Sequence, residues 1–79
     1  MNNAIIVLGY LDKITGYSNW YKIHRKYSGD PNYVSFLEAL DDTIQYLEQE
    51  KLIFTEKNAG EIDRISITDL GQKYFSRSL

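Results

Sequence analysis

The only histidine, His24, stands among Lys22, Arg25 and Lys26 with no acid beside it in sequence, and cysteine is absent. A zinc site draws on several imidazole or thiolate ligands, so neither a metal centre nor thiol chemistry is expected. Asp41 and Asp42 are neighbours in the chain. On a helix, adjacent side chains point about 100° apart, so these two carboxylates make no facing acid–base dyad and read as solvated side chains. No glycine-rich phosphate loop and no nucleophile elbow is present. The expectation is a protein that is not an enzyme and needs no cofactor.

What remains is the chemistry of charge. Residues 13–29 hold Lys13, Lys22, Arg25 and Lys26 and no acid, whereas residues 30–50 hold Asp30, Glu38, Asp41, Asp42, Glu48 and Glu50 and neither Lys nor Arg. A block of +4 is thus followed directly by one of −6 in a chain whose net charge is only −2. One reading is two solvated helix faces. The other is a dipolar surface that orients a partner.

The hydrophobic content of 43% and aromatic content of 14% are enough for a packed core rather than a disordered chain. One small domain spanning residues 1–79 is expected. The absence of cysteine fits a reducing compartment. The apolar run AIIVLGYL is too short to span a bilayer and no basic region precedes it. A soluble, cytoplasmic protein with no membrane partner is therefore expected. Seven tyrosines are many for 79 residues and point to half-exposed aromatic surface at an interface or core rim.

Five elements must position these charges. Residues 3–14 open on an Asn pair, either of which can cap a helix, and carry Ile5, Leu8 and Leu11 at helical spacing. Gly16 follows. Residues 18–28 start with Ser18 as the expected cap. Trp20, Ile23 and Tyr27 share one side of this helix, and Lys22, Arg25 and Lys26 lie almost opposite. Trp20 at that spacing reads as core. SGDPN (28–32) is a turn. Over residues 33–50, Tyr33, Leu37, Leu40, Ile44 and Leu47 form a buried stripe, with Ser35, Glu38, Asp42, Gln45 and Gln49 outside. LIFTE (52–56) has strand composition, KNAGE (57–61) makes a hairpin loop, and Ile65 and Ile67 alternate with Arg64 and Ser66 in a returning strand. Thr68 caps a last helix in which Leu70, Tyr74 and Phe75 are expected to pack inward. Gly71 would let that helix approach the hairpin closely.

This order, with YLEQEKLIF and ISITDLGQKYF, resembles the winged helix-turn-helix superfamily, the PadR and MarR types above all. The likeness rests on Leu47, Glu48, Leu52 and Ile53 at the end of the third helix, then Ile67, Thr68 and Gly71 after the hairpin. VLGYLDKITGYSNWYKIHRKY looks like the opening of such domains. The resemblance implies an α+β fold: a three-helix bundle, a two-stranded β-hairpin wing and a C-terminal helix. It departs at Lys51, where the family usually has Gly in a left-handed conformation. Lys51 adopts that conformation at some cost, or the helix ends differently.

The resemblance also implies a DNA-binding transcriptional regulator, with the third helix in the recognition position. There its groove-facing residues would be Glu38, Ala39, Asp41, Asp42 and Thr43, three of them acidic. Binding to double-stranded DNA depends on Lys and Arg displacing counterions. The contacts available for it are Lys22, Arg25 and Lys26 on the second helix, Thr43 on the third, and Lys57 and Arg64 on the wing. A homodimer would double them, with spare tyrosines at its surface. In the alternative, the third helix binds a basic protein surface through Glu38, Asp41, Asp42, Gln45 and Tyr46, as an accessory or inhibitor protein of phage or plasmid type would. Exposed Tyr33 or Tyr46 would then serve as anchors.

Overall fold

Short polar side chains start the helices. In the computed structural model, which describes residues 2–79, Asn2 opens α1 (Asn3–Lys13) by accepting the amide of Ala4 at 2.7 Å. Asn19 opens α2 (Trp20–Tyr27) by accepting the amide of Lys22 at 2.9 Å. The expected cap, Ser18, does something else. Its amide donates to the Ile65 carbonyl at 2.7 Å and its carbonyl accepts from the Ile65 amide at 2.9 Å. Its hydroxyl lies 3.0 Å from the Tyr10 hydroxyl. A residue with both backbone groups committed to a β-bridge ties the loop after α1 to the hairpin and leaves the capping to its neighbour.

Asp30 caps a 3-10 turn over Pro31–Tyr33 by accepting the Asn32 amide. It overlaps the expected turn at residues 31 and 32 and takes Tyr33, the expected first residue of the next helix, with it. The helix expected over 33–50 is two helices, α3 (Val34–Glu38) and α4 (Leu40–Gln49). They meet at Ala39, whose φ of −98° and ψ of 7° leave the helical basin. Its amide is shared between the Ser35 and Phe36 carbonyls at 3.2 Å each. The inner face therefore shifts. Phe36, Leu40, Thr43 and Leu47 are buried, while Tyr33, Leu37 and Ile44 only pack against the core from its edge. Tyr27 meets Tyr33 and Phe36 with ring centroids 4.6 and 5.1 Å away. Burial raises the Tyr27 phenol pKa, and the Tyr33 and Tyr10 phenols add to the shift.

The end of α4 keeps the left-handed residue that the superfamily pattern implies, with Lys51 in place of Gly. Lys51 has φ 61°. Around it the Leu52 amide donates to the Leu47 carbonyl at 2.9 Å and the Lys51 amide to the Glu48 carbonyl at 3.1 Å. This pair of bonds is a Schellman motif. A side chain costs about 1–2 kcal/mol in that conformation, part of which Gly returns through its freer unfolded state. Lys51→Gly is therefore expected to stabilise the domain by about 0.5–1 kcal/mol. Urea denaturation measures it, and an unchanged midpoint would contradict the strain assigned to Lys51.

The chain then forms β1 (Ile53–Glu56) and β2 (Arg64–Ile67), antiparallel, with Ile53 opposite Ile67 and Thr55 opposite Ile65. This register turns Ile53 and Ile65 into the core and leaves Phe54 outside. The loop between the strands spans residues 57–63. Thr68 caps α5 (Asp69–Arg77) as expected, accepting the Gly71 amide at 3.0 Å. The same hydroxyl donates to the Lys51 carbonyl at 2.7 Å, so one side chain joins the end of α4 to the start of α5.

Gly71 packs against the Leu52 carbonyl, as the close approach predicted from sequence requires. That contact also fixes the rotation of α5. With Gly71 turned in, Phe75 one turn later packs against the core, but Leu70 and Tyr74 lie about 100° aside and stay exposed. The expectation that both pack inward is corrected accordingly. The core gathers Val7, Leu8 and Leu11 from α1, Ile23 from α2, Leu40 and Leu47 from α4 and Ile65 from the hairpin. Helix, helix, helix, hairpin, helix is the α+β winged-helix order, with the third helix divided.

Candidate nucleic-acid interface

The break at Ala39 changes what the acids of α4 are for. Ala39 stands at the N-cap of α4 without a side chain able to cap it, and Asp41 and Asp42 fall in the first turn. The N-terminus of a helix carries a partial positive charge, which carboxylates in the first turn stabilise. The two Asp residues thus stand in for the missing cap. They also neutralise the end of the helix that would otherwise attract a phosphate.

The two carboxylates diverge. Asp41 lines a groove of about 410 Å³ between α4 and the wing, together with Gln45, Glu48 and Trp20. Asp42 lines a separate groove with Asn2, Thr43, Tyr46 and Tyr74. Glu38, Asp41, Asp42, Gln45 and Tyr46 are all exposed, so the residues of the expected protein-binding face are on the surface, but Asp41 and Gln45 lie on one side of α4, Asp42 and Tyr46 on the other, and Glu38 ends α3 before the break. Thr43 is not among them. It is 8% exposed and its hydroxyl donates to the Ala39 carbonyl at 2.8 Å, leaving little surface for a base edge. Its burial follows from the shift of the inner face at the break.

The wing brings its own acids to its cations. Lys57 Nζ lies 2.9 Å from Asp63 Oδ2 across the loop. The hydrogen bond and charge of Asp63 raise the Lys57 pKa above its ordinary value. Arg64 lies 3.7 Å from Glu56, its partner directly across the strands, and 4.4 Å above the Tyr17 ring. Both wing cations are therefore occupied. The Glu56–Arg64 pair was legible in principle, because equal spacing from the loop places these residues opposite one another. Tyr17, from a segment remote in sequence, carried no such signal.

The cations of α2 differ. Lys22, Arg25 and Lys26 are exposed and, among the described residues, none has a carboxylate within ion-pair distance. Arg25 is farthest from the buried Ile23 side of the helix. Lys26 leans towards α1 and lines a groove with Lys13 and Phe75. Trp20 lies at the edge of the core, stacked on His24 with ring centroids 4.9 Å apart. His24 is thus half-buried against an indole in the middle of the basic helix.

No protein-family model matches the chain and no curated protein matches it. Its fold does match a solved structure, the crystal structure of a PadR-like transcriptional regulator from Bacillus cereus. The TM-score is 0.78 and the sequences are 25% identical. The match covers 99% of this chain and 46% of that one, so this chain spans about half the length of the regulator it resembles.

Proposed function

From a chain that folds as a PadR-like winged helix, we propose a cytoplasmic DNA-binding protein acting as a small transcriptional regulator, without enzymatic activity or cofactor. The observation that carries this reading is the likeness to a transcriptional regulator along almost the whole chain. The exposed, unpaired cations of α2 support it chemically. Lys22 and Arg25 are the primary phosphate contacts, with Lys26 at the edge. Lys57 and Arg64 join only by exchanging Asp63 and Glu56 for phosphate, and Thr43 contributes nothing directly. Affinity of this kind is mainly electrostatic, with α2 leading and α4 excluded from close phosphate contact by its acids.

Three phosphate contacts per chain give a slope of log affinity against log salt of about −2.7, and a dimer twice that. Fluorescence anisotropy with a labelled duplex over a salt series measures the slope. Arg25→Glu is expected to reduce it by about 0.9 and to weaken low-salt binding roughly tenfold. Absence of binding at low salt would remove the reading. It would leave the second one, in which the exposed acids of α4 bind a basic protein surface. That reading draws its support from unpaired Asp41 and Glu48 beside a wing whose cations are already occupied.

A further inference from the structure

The basic face of α2 carries aromatic side chains that phosphate contacts leave unused. Tyr21 is 62% exposed and Tyr17, just before the helix, 52%. A tyrosine exposed singly on a protein surface needs no explanation. These two stand in a segment, residues 13–29, that holds four cations and no acid. Tyr21, His24 and Arg25 fall at i, i+3 and i+4 and share one face of α2. Lys22 flanks that face, and the buried Ile23 is turned away from it.

Both rings are held in place while remaining open. Tyr21 meets Trp20 with ring centroids 5.2 Å apart and planes at 87°, and Trp20 is itself stacked on His24. A perpendicular contact covers at most one face of the Tyr21 ring. Tyr17 has the Arg64 guanidinium 4.4 Å from its ring centre, which covers one face and leaves the other. The backbone between the two rings is fixed as well, by the bridge from Ser18 to Ile65 and by the Asn19 cap. Side chains ordered in advance lose little freedom when a ligand arrives.

Immobilised aromatic faces among cations are what a single strand requires: bases stack on the rings and the cations follow the phosphates. A duplex makes no use of the rings, because its bases are stacked on one another and offer only their edges in the grooves. Charge complementarity points to the same occupant. Among the described residues, neither Lys22 nor Arg25 has a carboxylate within ion-pair distance, so both are free for a polyanion. The reach is also suitable. Four residues span at most about 14 Å between the Cα atoms of Tyr17 and Tyr21. About four nucleotides of a stacked strand cover that distance.

We propose that the α2 face binds single-stranded DNA, with bases stacked on Tyr17 and Tyr21 and phosphates held by Lys22 and Arg25. This rests on the reading above for the use of the α2 cations on DNA, and extends it from the duplex to unpaired strands. Stacking and charge separate by salt. Each phosphate contact contributes about 0.7 to the salt slope on a single strand and about 0.9 on a duplex, whereas a stacked base contributes nothing to it.

The test is fluorescence anisotropy of the full chain with a labelled oligothymidylate of about 12 nucleotides, a duplex of the same length, and a strand of the same length abasic throughout. The oligothymidylate is expected to bind, and the abasic strand to bind at least about tenfold more weakly. Tyr21→Ala should weaken oligothymidylate binding roughly tenfold at every salt concentration without changing the slope. Tyr21→Phe, which keeps the ring, should bind as the parent does. Arg25→Glu should reduce the slope by about 0.7. Duplex affinity should be indifferent to Tyr21→Ala.

Tyr21 is exposed, and a circular-dichroism melt checks that the fold survives its replacement. If Tyr21→Ala unfolds, the abasic strand decides alone, since it needs no variant. Equal affinity for the abasic strand, or a folded Tyr21→Ala that binds oligothymidylate like the parent, overturns the proposal. Binding of the duplex without the single strand also overturns it and leaves the regulator reading standing. Binding of the single strand without the duplex does the reverse, and binding of neither overturns both.

Discussion

Gly71→Ala is expected to cost this domain about 3 kcal/mol or more, lowering the urea midpoint far below that of the parent. A Cβ at residue 71 would overlap the carbonyl oxygen of Leu52 and come within 2.8 Å of Ile67 Cγ1. The carbonyl cannot swing aside freely, because it accepts the Thr68 amide at 3.2 Å. Nor can α5 retreat alone, because Thr68 holds the Lys51 carbonyl. Relief would require breaking the junction where α4, the hairpin and α5 meet. A chain of 79 residues has a total stability of roughly 4–12 kcal/mol, so the loss is a large share of it. Gly60→Ala separates sterics from backbone preference. Gly60 has φ +76° but nothing within 4 Å of its would-be Cβ, and about 1 kcal/mol is expected there. Equal, small losses at both positions would show that α5 slides easily against the hairpin.

That junction also shows what the sequence made legible. A glycine after Thr68 in a helix start signalled close approach, and Leu52 and Ile53 signalled the strand beneath it, because local composition carried both facts. The rotation of α5 was a consequence of the contact itself. Leu70 and Tyr74 are apolar by type, and only the inward turn of Gly71 determines that they face out. Ser18 illustrates the same limit. Its residue type favours a cap, yet its bridge partner, Ile65, is remote in sequence, and a pairing over that distance leaves no local trace. The break at Ala39 was hidden for another reason: neither Gly nor Pro marks it, and the apolar periodicity runs through it almost undisturbed. Since the meaning of Asp41 and Asp42 depends on that break, the candidate site was less legible than the fold. Their identity and exposure could be read, but not that they open a helix lacking a cap. The wing cations divide likewise: Glu56 opposite Arg64 follows from hairpin register, whereas Asp63 reaching Lys57 depends on the path of the loop.

Asp41→Lys with Asp42→Lys is expected to raise affinity for a duplex of arbitrary sequence on the order of tenfold at low salt if α4 lies at the groove. The slope of log affinity against log salt should then steepen by about 1.8, two contacts' worth. The reasoning begins at the helix end. With the carboxylates present, the partial positive charge at the start of α4 is cancelled and phosphate is repelled from both flanks of the helix, the wing side by Asp41 and the α1 side by Asp42. Reversing both removes the repulsion and adds two cations. It also places like charge at the helix dipole, and a loss of stability of about 1 kcal/mol is expected in parallel. Opposite signs in the two measurements, tighter binding by a less stable domain, would mark the acids as residues that restrain α4 from phosphate while supporting the fold. Unchanged affinity together with an Arg25→Glu defect would mean that the duplex lies along α2 and never approaches α4. In that case the acidic helix remains free, while DNA is bound, for a basic partner.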